Sequence, residues 1–362
     1  MSPTVPHPPA RRPTLEAVAA QAGVSRATVS RVVNGSPQVD PALARKVKAA
    51  VAQLGYVPNL SARSLMTRRT DVVALVAAEG DDRVFGDPFF SGIVRGVGHE
   101  LLVAGRQLML FMSQGSAELD SVEAFLRGGH CDGVLLISEH GRHGTAAALT
   151  SAGIPVVIGG RPLDPTLRIP YVDHDNVAGA FLAARHLTDT AGRTRVATIA
   201  GPQDMSAGVD RLLGFSRALG TDYDPALVEH GDFTGISGAS AMEQLLSRAP
   251  DLDGVFVASD LMALAAIAVL RRHGRRVPDD VAVVGFDDIA LAADSTPSLT
   301  TIRQRTVEQG RRMAQTLVGL IDARAAQPPD QPVHRAAPDS HDGLLAGEGI
   351  VLPVELVVRE TA

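Results

Sequence analysis

Eight short segments, seven of them mostly apolar and LVEHGDF more polar, recur between residues 71 and 288, each followed by a stretch long enough for a helix. They are DVVALVAA (71–78), LMLFMS (108–113), DGVLLIS (132–138), IPVVIGG (154–160), RVATIAG (195–201), LVEHGDF (227–233), GVFVASD (254–260) and VAVVGFDD (281–288). A strand apolar on both faces must be covered on both faces. Continuous runs alternating with helices therefore predict parallel sheets sandwiched between helices. Four runs lie before residue 172 and four after it, which predicts two similar α/β subdomains.

The first seventy residues follow a different rule. Residues 1–69 carry ten Lys/Arg against two Asp/Glu, a net of +8; the remainder carries 24 against 38, a net of −14, within an overall charge of −6. A basic head on an acidic body is the electrostatic signature of a nucleic-acid-binding module joined to something else. Its pattern is helical. In TLEAVAAQA, Thr14 is placed to cap a helix with Glu16 in its first turn. Leu15, Val18, Ala19 and Ala22 share a face. Gly23 breaks this helix, Val24 plugs the turn, and Ser25 caps a second helix from about Arg26 to Val33 with Val29, Val32 and Val33 inward. Asn34-Gly35 signals a turn. Asp40-Pro41 opens a third helix with an apolar stripe of Leu43, Val47, Ala50, Val51 and Leu54, ended by Gly55. Two short helices around a tight turn and a third closing the core make a helix-turn-helix; outward Arg26 and Arg31 favour DNA over a generic helical hairpin.

Composition narrows the remaining classes. At 362 residues the chain suggests two or three domains. It has no Trp and three Tyr, so its core is aliphatic. Cys131 is the single cysteine and cannot form an internal disulfide; a reducing cytoplasm fits, and Cys131 reads as a small buried hydrophobe. MSPTVPHPPARRP (1–13) lacks an apolar core and reads as a disordered arm, not a secretory signal. No run of eighteen apolar residues is present. His99, His130, His140, His143, His174 and His186 are scattered, with no nucleophile elbow, phosphate loop or metal pair, so neither an enzyme nor a metal or cofactor is expected.

The residues TLEAVAAQAGVSRATVSRVVNGSPQVDPALARKVKAAVAQLGYVPNLSARSL resemble the DNA-binding head of the LacI/GalR family of bacterial transcription regulators. DPFFSGIVRGV, GGRP, DNVAGAFLAARHL, DRLLGF, FVASDLMALAAIAVLRRHGRRVPDDVAVVGFDD and PSLTTIRQ extend the resemblance through the body. It implies an N-terminal three-helix DNA-binding head, a hinge helix, and a two-subdomain effector domain like the periplasmic sugar-binding proteins. The expected boundaries are 1–13 arm, 14–56 head, 57–70 hinge and linker, and 71–362 effector-binding and dimerisation domain. The N-subdomain is assigned about 71–172 and 303–333, and the C-subdomain about 173–302 and 334–362.

By position, the resemblance makes Arg26, Ala27 and Arg31 base readers, with Ser25, Thr28, Ser30 and Asn34 as phosphate or secondary contacts. The chemistry agrees: Arg can grip guanine with two hydrogen bonds, and Ala offers a methyl contact to thymine. Thr14, Asn59 and Arg63 are further DNA contacts, and Leu65 in SARSL matches the leucine that wedges between central base pairs. Met66 and Arg68 depart from the commoner residues of that segment.

In paired α/β subdomains a ligand meets the carboxyl ends of strands. The candidates are therefore GDPFF (86–90), GGRP (159–162), GPQDMSAGVDR (201–211), SD (259–260) and GFDD (285–288). The effector contacts expected from the resemblance are Asp87, Phe89, Phe90, Arg161, Ser206, Arg211, Asp260, Asp287 and Gln304. Arg and Asp beside aromatic faces suit a polyol. Met205 and Ala207 stand where the purine-responsive branch has Arg and Thr, which counts against a purine. The expected protein is a repressor of carbohydrate-utilisation genes switched by a sugar-like effector. It would bind a pseudo-palindromic double-stranded operator as a homodimer; the alternative is a corepressor-dependent regulator sensing a nucleoside or base. Residues 325–349 read as a surface insertion rich in Pro, Gly and Asp.

Overall fold

The computed structural model describes residues 13–33, 38–57, 69–141, 144–326 and 349–362. Met1–Thr70 and Asp71–Ala362 form two separate compact units.

In the first unit, capping residues set the helix ends. Thr14 accepts from the Ala17 amide at the start of α1 (Leu15–Ala22), and Gly23 closes it at φ 65°, a left-handed conformation that costs a residue with a Cβ. Ser25 Oγ accepts from the Thr28 amide in the first turn of α2 (Arg26–Val33). Asp40 accepts from the Ala42 and Leu43 amides, at 2.8 and 3.1 Å, ahead of α3 (Pro41–Leu54). Val18, Val29 and Val47 are fully buried with Ala19, Ala50 and Tyr56 around them. Each buried valine contributes roughly 1.5–3 kcal/mol, enough to hold helices too short to stand alone. Val32 and Val33 are half-buried, and Leu43, expected on the apolar stripe, is 37% exposed. In a three-helix core this small, the first turn of α3 lies beyond the reach of the other two helices.

The second unit contains two six-stranded sheets. Its elements run β1 (Val72–Ala77), α4 (Asp81–Gly86), α5 (Pro88–Val103), β2 (Gln107–Met112), α6 (Ser116–Arg127), β3 (Gly133–Ile137), α7 (Thr145–Ser151), β4 (Val156–Gly159) and β5 (Tyr171–His174). The chain then crosses into the other lobe through α8 (Asn176–Arg185), β6 (Val196–Ala200), α9 (Ser206–Leu219), β7 (Val228–His230), α10 (Gly235–Arg248) and β8 (Gly254–Val257). It continues through α11 (Asp260–Arg272), β9 (Ala282–Asp287), α12 (Ala290–Asp294) and β10 (Thr300–Arg303). It returns through α13 (Thr306–Ala326) and β11 (Gly349–Leu352), and ends after β12 (Glu355–Val357). The first sheet is ordered β11-β5-β4-β3-β1-β2 and the second β12-β10-β9-β8-β6-β7. All pairings are parallel except β12 with β10.

The eight segments all form strands, and four further strands accompany them. Tyr171–His174 and Thr300–Arg303 carry polar residues and run for only four positions, too few for a periodic signal. One expectation needs correction. Residues 334–362 were assigned whole to the C-subdomain, but Gly349–Leu352 pairs with β5 in the first sheet, and only Glu355–Val357 joins the second. Pro353 lacks an N–H and cannot continue the ladder, so the apolar run IVLPVELVV divides into two edge strands, one for each lobe. Three chain crossings, after β5, β10 and β11, thus link the lobes.

Glycine permits the closest helix pairing in the first lobe. A Cβ at Gly96 would lie 2.1 Å from the Val307 carbonyl oxygen, and one at Gly310 would lie 2.4 Å from that of Ile93. Helices α5 and α13 therefore meet backbone to backbone, and this contact fixes α13 beside the strand ends.

Candidate functional site

On the head, Ser25, Arg26, Ala27 and Arg31 are exposed along α2, and Thr28 and Ser30 are half-buried. Arg26 Nε lies 3.1 Å from Glu16 Oε1, a pair in which both side chains are largely exposed. Such a pair is weak in water. It parks the guanidinium on α1 without committing it. Thr14 is exposed and engaged as the cap of α1. Asn34, Asn59, Arg63 and Leu65, with the expected hinge helix, lie outside the described residues.

In the body a cleft opens between the two lobes, with about 1030 Å³ of empty space that includes a part open to solvent. Asp87, Phe89, Arg161, Ser206, Arg211, Asp287 and Gln304 line it, drawn from both lobes. Phe90 does not. It is 1% exposed in the first-lobe core and meets Phe89 edge-on at 5.3 Å. Adjacent helical residues point about 100° apart, so only one of the two can face the cleft. Asp260 also lies behind the wall. Ser259 lines the cleft and caps α11, which turns Asp260 into the helix, where it accepts from Thr301 Oγ1 at 2.6 Å and from the Ile289 amide at 2.9 Å.

Arg211 is the centre of the polar end. It is buried, donates from Nε to Asn176 Oδ1 at 2.9 Å and from Nη1 to the Ala258 carbonyl at 2.5 Å, and lies 3.4 Å from Asp287 Oδ1. Its guanidinium stacks 3.7 Å from the centroid of the Phe286 ring. Asp287 receives Gln304 Nε2 as well, and holds its backbone at φ 118°, a conformation that costs energy for a residue with a Cβ. Burial pushes the Asp287 carboxyl up to about 7 against the pull of Arg211. Burial also raises Asp87, Asp173 and Asp260, and it drives His174 down to about 4 with help from Arg211. The cause is common: each group is withdrawn from water, which disfavours its charged form.

Residues not anticipated from the sequence complete the cleft. Asn176 orients Arg211, and Asp173 accepts from the Arg161 amide at 2.9 Å. Asp173 lies in β5 and Asn176 opens α8 two residues after it, and the brevity of β5 concealed the strand end. Phe233 presents an aromatic face from a loop residue at φ 70°, for which the sequence held no signal. Links between the lobes border the same space. Arg161 pairs with Asp210, His140 Nδ1 meets Asp204 Oδ2 at 3.0 Å, the Gly141 amide donates to the Asp204 carbonyl at 2.8 Å, and Arg83 donates to the Asp232 carbonyl. The Glu79 carboxylate, 3.6 Å from the His140 ring, raises that imidazole's pKa. Among the described residues no cluster of His, Cys, Asp and Glu is arranged to hold a metal, and no helix is long and apolar enough to cross a membrane.

A helix-turn-helix head followed by a two-lobed body with a polar interlobe cleft defines a DNA-binding transcription regulator with a ligand-sensing domain. Residues 14–59 match the bacterial regulatory proteins of the lacI family, and residues 184–336 match the periplasmic binding protein-like domain. The chain is 52% identical over 322 residues to the HTH-type transcriptional regulator CelR of Thermobifida fusca, covering 88% of this chain and 94% of the relative. It therefore belongs to the lacI family. Among solved structures, a transcriptional regulator CelR–cellobiose complex superposes with a TM-score of 0.74 at 47% identity, covering 97% of this chain and 100% of that one. The lac repressor dimer bound to operator and the anti-inducer ONPF superposes with a TM-score of 0.81 at 26% identity, covering 97% and 99%.

Proposed function

We propose that this regulator represses carbohydrate-utilisation genes and is released from its operator by a short β-linked glucose oligosaccharide, cellobiose being the first to test. The observation that carries the reading is the constellation of Arg211, Asp287, Asn176 and Gln304 at one end of a cleft that also presents the Phe89 and Phe233 rings. Fixed donors and acceptors beside aromatic faces suit a sugar, whose ring edges carry hydroxyls and whose faces carry C–H groups. The 52% identity to CelR and the cellobiose held by a CelR structure support the choice of sugar.

The chain acts in the cytoplasm as a homodimer on a two-fold operator, with Arg26, Ala27 and Arg31 reading bases. The lac repressor, a dimer on its operator, supports this arrangement. The sugar bridges the lobes and changes their angle, and the DNA-bound dimer tolerates only one of the two angles. Linkage makes the effect reciprocal: operator must weaken sugar binding by the factor by which sugar weakens operator binding. Fluorescence anisotropy of a labelled operator, titrated with protein with and without cellobiose, tests this. A Kd raised at least tenfold by cellobiose is expected. Cellobiose binding that leaves operator affinity unchanged rejects the switch.

A further inference from the structure

Gln309 lies in the first turn of α13, the helix that the Gly96–Gly310 contact fixes against α5, and its side chain lines the cleft. The residue is 3% exposed. Its Nε2 donates to the Val172 carbonyl at 2.9 Å, and its Oε1 is buried with no hydrogen-bond partner among the described residues. An acceptor left in this state destabilises the fold, and an apolar side chain of the same size would avoid that cost.

Arg83 Nε is the other buried side-chain atom of the cleft without a hydrogen-bond partner among the described residues; its neighbours in the polar end are partnered. Both oxygens of Asp173 accept hydrogen bonds, Asn176 and Arg211 satisfy each other, and Gln304 reaches Asp287. Nor does the Gln309 amide serve a structural need on its donor side. The Val172 carbonyl already accepts from the Gly160 amide at 2.9 Å, so it stays satisfied without Gln309. The terminal torsion of a glutamine is soft. A rotation that frees Nε2 from Val172 leaves that carbonyl satisfied, and a ligand oxygen must then accept from Nε2 while a ligand hydroxyl donates to Oε1.

We propose that Gln309 is a specificity-determining ligand contact: its Oε1 accepts a hydrogen bond from one hydroxyl of the bound sugar. This rests on the reading of the cleft as a sugar site. It adds an acceptor from the first lobe to the Arg211, Asp287 and Asn176 set of the second. A ligand hydroxyl gripped from both lobes ties the lobe angle to occupancy.

The test is calorimetric titration of the full-length wild type and Gln309→Met with cellobiose and with its monodeoxy derivatives, alongside ligand-free thermal melting. Gln309→Leu serves as a second apolar replacement. The expected result is about a tenfold weaker Kd for cellobiose in the variants, equivalent to about 1.4 kcal/mol, with a melting temperature equal to or above that of wild type. One monodeoxy sugar should bind wild type and variant equally, because its missing hydroxyl is the one Gln309 receives. Equal cellobiose affinity in wild type and both variants overturns the contact. So does a lowered melting temperature with unchanged affinity, which marks Gln309 as structural. Failure of wild type to bind any sugar of the panel is a different result: it overturns the sugar reading of the cleft, and this contact with it.

Discussion

Arg161 and Asp210 join the two lobes of the body through a two-pronged ion pair, Nε lying 2.6 Å from Oδ2 and Nη2 2.5 Å from Oδ1. Arg161 follows β4 of the first lobe and Asp210 sits on α9 of the second, one residue before Arg211. A planar guanidinium matched to a carboxylate fixes orientation as well as distance. The pair therefore couples the lobe angle to the helix that carries Arg211.

Asp210→Asn keeps the shape and removes the charge. Because Arg161 is about one-third exposed, the loss in folding stability should be under about 1 kcal/mol. The lobe angle should respond more. The expected outcome is a larger radius of gyration for the ligand-free variant in small-angle scattering, together with several-fold weaker cellobiose binding. An unchanged scattering profile would show that the chain crossings and the remaining interlobe contacts of His140, Gly141 and Arg83 set the angle without this pair.

Arg211→Met removes a buried cation that faces Asp287, Asp173, Asp260 and Asp87. Stability should fall by about 3–5 kcal/mol in urea denaturation, the usual consequence of stranding a buried charge. Arg211→Lys retains the charge but loses the stack on Phe286 and the fixed geometry toward Asn176. It should stay folded and bind cellobiose at least tenfold more weakly by calorimetry. Wild-type affinity in the lysine variant would remove Arg211 from the ligand contacts.

The pH dependence follows from Asp287. Its folded pKa of about 7 lies above the unfolded value near 4, so between these limits the folded state holds more protons. This contribution to stability is fully present below about pH 4 and is lost as pH rises through 7. Asp87, Asp173 and Asp260, also raised, act with the same sign. His174, lowered to about 4, acts oppositely, but its contribution is lost only as pH falls below about 6.5. The urea midpoint of ligand-free wild type should therefore fall between pH 6.5 and 8. Asp287→Asn should flatten that slope. An equal slope in the variant would assign the titration to another group.

On the head, Arg26→Ala should cost roughly 1–3 kcal/mol at one operator position and relax base preference there. Electrophoretic titration against operators varied at each position distinguishes the roles. Equal weakening on every sequence would make Arg26 a phosphate contact. Glu16→Ala should leave the urea midpoint close to that of wild type, because its pair with Arg26 is exposed, and should strengthen nonspecific DNA binding by removing a nearby negative charge.

The sequence by itself determined those features whose causes are local. Caps at Thr14, Ser25 and Asp40, the left-handed turn at Gly23, and apolar runs long enough to demand cover on both faces set the head's three helices and eight of the body's strands. The same reasoning placed Asp87, Phe89, Arg161, Ser206, Arg211 and Asp287 in segments that follow strands, where a parallel α/β fold exposes side chains to a cleft, and the family resemblance added Gln304. Tertiary structure decided what depends on direction and company. It sent Phe90 into the core and Phe89 toward the cleft, turned Asp260 behind Ser259, and divided the final strand between the lobes at Pro353. It paired Arg161 with Asp210, and Arg211 with Asn176, across 49 and 35 residues of chain. No local pattern encodes such meetings: a hydrogen bond depends on the position of both partners, and the second position exists only once the lobes have folded.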